Sequence, residues 1–190
     1  MLAAGKQRAV FLDRDGVINV SPSDGFVRSI EQFVFIPGSR EAIADLARHG
    51  FRLIVVSNQS GVGQGVYTSQ ALDEITDTMT RAIRQAGGRL DGVYYCVHQP
   101  TAGCRCRKPG PGLIERAVSD WLIDLPHSYI IGDDARDIVL GHTVGCRTVL
   151  VLSGKTTSDA VKNLLKPPAR VCENLRAAAD WILGDSGVRQ

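Results

Sequence analysis

Ala9-Val10-Phe11-Leu12-Asp13-Arg14-Asp15-Gly16-Val17 opens with four apolar residues in a row and then breaks on a charged turn. A short apolar run bounded by turn residues, without polar alternation, is what a strand covered on both faces requires. Four more runs share this character: Arg52–Ser57, Val93–Val97, Ser128–Gly132 and Arg147–Leu152. Between them the apolar period changes to that of a helix. Ser39–His49 carries Ile43, Leu46 and Ala47 on one face, and Ser69–Ala86 carries Leu72, Ile75, Met79 and Ile83. A third helical stretch with Leu113, Ile114, Ala117 and Val118 follows Pro111-Gly112, and Gly50 and Gly87-Gly88 stand where helices should stop. Pro167-Pro168 punctuates a last pair of helices. Alternating strands and helices predict an α/β fold with a doubly wound, Rossmann-like parallel sheet. In such sheets ligands bind outside the carboxyl ends of the strands. Strand one ends in Asp13-Arg14-Asp15-Gly16, strand two in Ser57-Asn58-Gln59-Ser60-Gly61 and strand four in Gly132-Asp133-Asp134, so these clusters are expected to meet at one edge.

The 190 residues suit one domain, expected over positions 1–190, with a substantial core. The 44% hydrophobic and 22% charged residues exclude a disordered or fibrous chain. A net charge of +2 and 6% aromatics provide neither the basic groove nor the stacking platforms that nucleic acid demands. The longest apolar runs, such as Leu53–Val56, are too short to cross a bilayer, and the N-terminal segment does not read as a signal peptide. A cytoplasmic protein without a membrane or nucleic-acid partner is the expectation, with fraying confined to the first seven residues and the Gly184–Gln190 tail.

Asp13 and Asp15 are two apart, so on an extended strand end both side chains point to one side and approach one cation, with Asp133 completing an all-oxygen site. Such a donor set suits magnesium. An aspartate is also a competent nucleophile toward a phosphoryl group, and a second carboxylate can shuttle the proton. A single aspartate is more often a cap or turn residue; three at strand ends point to chemistry. Cys96-x-His98-x5-Cys104-x-Cys106 offers three thiolates and one imidazole, a complete tetrahedral set for a structural zinc. Arg107 and Lys108 follow directly, so the same loop presents Lys108. Cys146 and Cys172 lie beside apolar runs and read as packed thiols, and His49, His127 and His142 as capping or solvated residues.

Phe11-Leu12-Asp13-Arg14-Asp15-Gly16-Val17, Ser57, Lys108 and Gly132-Asp133 resemble, in order, the four motifs of the haloacid dehalogenase superfamily. The resemblance implies a phosphatase in which Asp13 is the nucleophile and Asp15 the general acid and base. Ser57 would donate to the phosphate, Lys108 would balance charge, and Asp133 would hold magnesium together with Asp13 and the backbone carbonyl of Asp15. Asp137 is expected to support the site from behind. The cysteine loop with Arg107-Lys108-Pro109, and the Val17-Ile18-Asn19, Gly25-Phe26-Val27 and Phe35-Ile36-Pro37-Gly38 segments, are similar to the D-glycero-D-manno-heptose-1,7-bisphosphate 7-phosphatases. The histidinol-phosphate phosphatases are the neighbouring alternative; their cationic substrate would want an acidic or aromatic wall, part of which Asp134 could supply. Either implies a small phosphorylated substrate and a monomer; the first belongs to the synthesis of nucleotide-activated heptose.

Arg107 offers a planar fork to a second anion of the substrate, or an ordinary surface pair. Asn58 and Gln59 offer amide contacts to substrate, or hydrogen bonds that stabilise the turn. Two positions depart from the heptose pattern. Gln64 stands where a basic residue is expected, and Asp134 where a non-acidic one is, placing a further negative charge beside the site; Lys155 offers compensation as a distal phosphate contact. Neither Val17–Pro37 nor the cysteine loop has room for a cap domain, so an open, capless site is expected, with Ser21–Phe35 as a flap.

Overall fold

The computed structural model describes residues 5–161, 164 and 166–185. Six parallel strands, β1 (Ala9–Leu12), β2 (Arg52–Asn58), β3 (Gly92–Cys96), β4 (Tyr129–Gly132), β5 (Arg147–Val151) and β6 (Arg170–Cys172), form one sheet in the order β3-β2-β1-β4-β5-β6. The five strands expected from the apolar runs are all present. β6 is an addition to them: of its three residues only Cys172 is buried, too short a signal to read as a run, and pairing with β5 creates the strand. Pro167-Pro168 stands between the last two helices, Ser158–Val161 and Leu175–Asp185, as the sequence suggests, with β6 inserted before the second.

Strand pleating separates two cores. On one face, Val10, Leu12, Leu53 and Val55 pack under α1 (Ser39–Arg48), α2 (Ser69–Gln85) and α6 (Leu175–Asp185), which contribute Ile43, Leu46, Ile75, Met79, Ile83 and Ile182. On the other, Ala9, Phe11, Ile54 and Val56 lie under α3 (Gly112–Asp120) and α4 (Ala135–Val144), whose Leu113, Ile114 and Leu140 cover them. Each fully buried Leu or Ile stabilises the fold by about 1.5–3 kcal/mol, which explains why strands with no polar face hold the centre of the sheet. A short helix, α5 (Ser158–Val161), precedes β6. Cys146 and Cys172 are buried among these cores as packed thiols, and burial pushes the Cys146 thiol up to about 12.

Strand order reverses between β1 and β4, which places the crevice over their carboxyl ends, where Asp13 and Asp133 begin. Among the described residues, the connections flanking this crevice hold only short 3-10 turns, Ile30–Gln32 and Pro100–Ala102. The expected flap is pinned from both ends: Val20 N–H donates to the Val34 carbonyl at 2.8 Å, Val27 is fully buried, and Phe33 stacks edge-on against Phe35. Gln7, expected to fray, is tied to Leu122 and Asp124 by backbone hydrogen bonds; Met1 to Ala4 and residues 186–190 lie outside the described residues. His49 caps α1, its Nδ1 2.8 Å from the Asp45 carbonyl.

Candidate active site

Asp13 continues β1, its N–H donating to the Ile131 carbonyl at 3.0 Å, so its carboxylate stands at the switch point of the sheet. Lys108 Nζ lies 2.9 Å from Asp13 Oδ2 and 2.6 Å from Asp137 Oδ1, and its side chain is only 3% exposed. Burial opposes the ammonium charge, yet the two carboxylates more than reverse this and raise its pKa. Asn58 holds the Lys108 backbone: Oδ1 accepts the Lys108 N–H at 3.0 Å and Nδ2 donates to its carbonyl at 3.2 Å. The amide of Asn58 is thus engaged in the second of its two expected roles, stabilising the turn, while the residue also lines the cavity over Asp13.

Asp137 does more than the sequence suggests. It forms the second half of the box that starts α4: Asp134 accepts from the Arg136 N–H at 3.0 Å, and Asp137 Oδ2 from the Asp134 N–H at 3.2 Å. Asp13, Asp133 and Asp137 each present a carboxylate oxygen, all within 4.8 Å of one another. Burial, with the charges of Asp13 and Asp137, pushes Asp133 up to about 7. Asp137 is also raised, because burial outweighs the attraction of Lys108. Gly16 and Gly154 permit this crowding, since a Cβ on either would lie 2.3 or 2.0 Å from Asp133 Oδ2. Three clustered carboxylate oxygens fit a hard divalent cation such as magnesium.

The Asp15 side chain is not part of that cluster, against the expectation from strand alternation. It is held by Arg14 through Nη2 at 2.9 Å from Oδ1, by Asn19 Nδ2 at 2.9 Å and by Gln59 Nε2 at 2.8 Å. Burial alone would raise its pKa, but the guanidinium and both amides hold it below the usual carboxylate range. The strand ends at Leu12, and the turn at Gly16 breaks the alternation on which the sequence argument relies. Arg14 itself is completely buried, which nothing in its sequence context announces.

Gln59, expected to touch substrate, is buried and fully engaged. Its Nε2 also donates to Ser57 Oγ at 3.0 Å and its Oε1 accepts from Tyr67 at 2.7 Å. It orients Asp15 and Ser57, and by accepting from Gln59 the Ser57 hydroxyl keeps its own proton free to donate outward. Gln64 donates back to Ser60 and stays within its own turn. Arg107 does not line the cavity over Asp13; it is half-buried, with Nη1 enclosed and without a hydrogen-bond acceptor. Asp134 does not add free negative charge, because Arg136 pairs with both of its oxygens at 2.9 and 2.7 Å. Burial works against the Asp134 carboxylate, but Arg136 holds it down at about 2. Lys155 lines the same cavity, and its N–H donates to Asp133 Oδ2 at 2.8 Å.

Cys96 ends β3, and Cys96, His98, Cys104 and Cys106 place their ligand atoms within 4.8 Å of one another. Cys96 Sγ is 3.5 Å from Cys104 Sγ and 3.0 Å from Cys106 Sγ, and His98 Nδ1 is 3.2 Å from Cys106 Sγ. A zinc tetrahedron with Zn–S bonds of about 2.3 Å has edges of about 3.8 Å, so the donor set fits that ion with small outward movement.

A family model for HAD-hydrolase-like proteins matches residues 105–178. A D-glycero-beta-D-manno-heptose-1,7-bisphosphate 7-phosphatase of Bordetella bronchiseptica is 36% identical over 94% of this chain and 99% of its own length. The chain belongs to the heptose-bisphosphate phosphatase family of haloacid dehalogenase-like hydrolases. The Escherichia coli K12 member is 37% identical over 92% of this chain and 87% of its own. The crystal structure of the B. bronchiseptica D,D-heptose 1,7-bisphosphate phosphatase, complexed with magnesium and phosphate, covers 94% of this chain and 99% of that one with a TM-score of 0.88. Membership in this family makes the chain a phosphatase, and no helix among the described residues is long and apolar enough to cross a membrane.

Proposed function

We propose that the protein removes the 7-phosphate of D-glycero-D-manno-heptose 1,7-bisphosphate, as a single cytoplasmic, monomeric domain serving the synthesis of nucleotide-activated heptose. The observation that carries this reading is the buried Asp13–Lys108–Asp137 group beside Asp133, in a chain more than a third identical to heptose-bisphosphate phosphatases over most of its length.

Asp13 attacks the phosphorus in line, the bond to the sugar oxygen breaks, and an aspartyl-phosphate forms. Lys108 balances the charge gathering on Asp13 and the phosphoryl oxygens, while the Ser57 hydroxyl donates a hydrogen bond to one of them. Asp15 protonates the departing sugar oxygen, then takes a proton from the water that attacks the aspartyl-phosphate, releasing phosphate and restoring Asp13. Arg14, Asn19 and Gln59 favour its ionised form, so it takes up a proton before the first of these tasks, gives it up readily, and is left ionised for the second. Asp13, Asp133 and the backbone carbonyl of Asp15 would hold magnesium, which when bound supplies the positive charge that lets a carboxylate approach a phosphate dianion. Cys96, His98, Cys104 and Cys106 would hold structural zinc and so fix the loop that carries Lys108.

Histidinol phosphate, the alternative, needs an acidic wall for its amine. Asp134 is the residue the sequence offers for it, and its pairing with Arg136 removes that argument. Phosphate release from the heptose bisphosphate and from histidinol phosphate, with magnesium present and with Asp13→Asn as control, tests the reading. Asp13-dependent release with a clear preference for the bisphosphate is expected; preference for histidinol phosphate, or no release from the bisphosphate, overturns it.

A further inference from the structure

The cavity over Asp13 has a volume of about 40 Å³. One enclosed water needs about 10–15 Å³ of such space, so the cavity takes one phosphoryl-sized group and leaves the rest of the substrate on its rim. Three cationic side chains line it: Lys108, Arg136 and Lys155. Lys108 is buried and spent on Asp13 and Asp137. Lys155 and Arg136 remain for what lies outside, and Arg136 is the better placed.

Its guanidinium plane is fixed at the start of α4. Asp134 Oδ1 accepts the Arg136 backbone N–H at 3.0 Å and Nε at 2.9 Å, and Oδ2 accepts Nη2 at 2.7 Å. One edge of the fork is thereby occupied. The other, Nη1 with the second Nη2 hydrogen, meets no protein acceptor among the described residues, and the Arg136 side chain is 39% exposed. An exposed arginine–aspartate pair contributes little to stability by itself. This one lies at the catalytic cavity, close enough for Asp13 and Asp137 to act on its charge, and its free edge has the spacing that matches two phosphate oxygens.

Building on the function proposed above, we propose that Arg136, with Lys155 beside it on the rim, binds the phosphate that is not cleaved and so selects a sugar bisphosphate over a monophosphate. Asp134 then acts as the positioning residue. The acidic side chain that looks unfavourable for a second phosphate is the one that aims the arginine at it.

The test is kcat/KM for heptose 1,7-bisphosphate and for heptose 7-phosphate, measured with the wild-type chain, Arg136→Ala, Arg136→Lys and Arg107→Ala. In Arg136→Ala the ratio of bisphosphate to monophosphate efficiency is expected to fall roughly tenfold to a hundredfold, the scale of one charged hydrogen-bonded contact, with the loss carried by KM. Arg136→Lys keeps the charge without the fork and is expected to fall between. Continued monophosphate turnover shows that each variant has folded. Equal losses on both substrates, an unchanged ratio, or a ratio that falls only in Arg107→Ala overturns the inference while leaving the proposed function standing. A wild-type chain that releases no phosphate from the bisphosphate overturns both.

Discussion

Asn58 grips Lys108 by its backbone at both ends, accepting its N–H at 3.0 Å and donating to its carbonyl at 3.2 Å, so the end of β2 and the cysteine loop move as one. Asn58→Ala is therefore expected to lower kcat about tenfold or more by loosening Lys108, and to cost about 1–3 kcal/mol of stability through the unpaired backbone groups. Steady-state kinetics and thermal melting check this; a variant that changes KM alone would return Asn58 to the role of substrate contact.

Gln59 joins Tyr67 to both Asp15 and Ser57. Gln59→Leu removes one of the donors that keep Asp15 ionised and should raise the Asp15 pKa. Activity that depends on the Asp15 carboxylate then needs a higher pH, so the acidic limb of the kcat profile is expected to move upward. A profile displaced downward, or unmoved with kcat intact, contradicts the network.

Asp133 is pushed up to about 7 by burial and the neighbouring carboxylates. A raised carboxyl binds a proton in the folded chain that the unfolded chain, titrating near 4, has already lost. Its ionisation therefore destabilises the metal-free fold fully above about pH 7, and the penalty fades as pH falls toward 4. Magnesium offsets that penalty. The increase in melting temperature caused by saturating magnesium is expected to be larger at pH 8 than at pH 6; the reverse order would show that the cation binds elsewhere.

Cys106 lies two positions before Lys108 and contributes to a four-donor cluster. Cys106→Ser is expected to release zinc, measurable by metal analysis of the purified chain, and to lower kcat as the loop loses its anchor. Full zinc content and full activity in the variant would remove the link between the cluster and Lys108.

Much of this arrangement is readable from the chain. Parallel strands follow from apolar runs such as Leu53-Ile54-Val55-Val56, because only a strand covered on both sides tolerates no polar face. The convergence of Asp13, Ser57 and Asp133 follows from the rule for strand ends, and the cysteine loop from its donor spacing. β6 is not readable, because its three residues become a strand only by pairing with β5.

Side-chain direction is decided by tertiary structure alone. Sequence periodicity sets the face of a residue within a regular element, and Asp15, Asn58, Gln59, Asp134 and Arg136 all stand at or beyond the ends of elements, where local backbone and long-range partners choose the rotamer. Asp15 turns to buried Arg14, Gln59 turns inward to Tyr67, and Asp134 takes Arg136 as its partner. The sequence by itself determined that Asp13, Ser57, Lys108 and Asp133 reach the crevice, because the strand ends and motif spacing that place them are properties of the chain. Only the tertiary structure decided which of those groups face the substrate and which hold the others in place, because that depends on burial and charge contributed by residues distant in sequence.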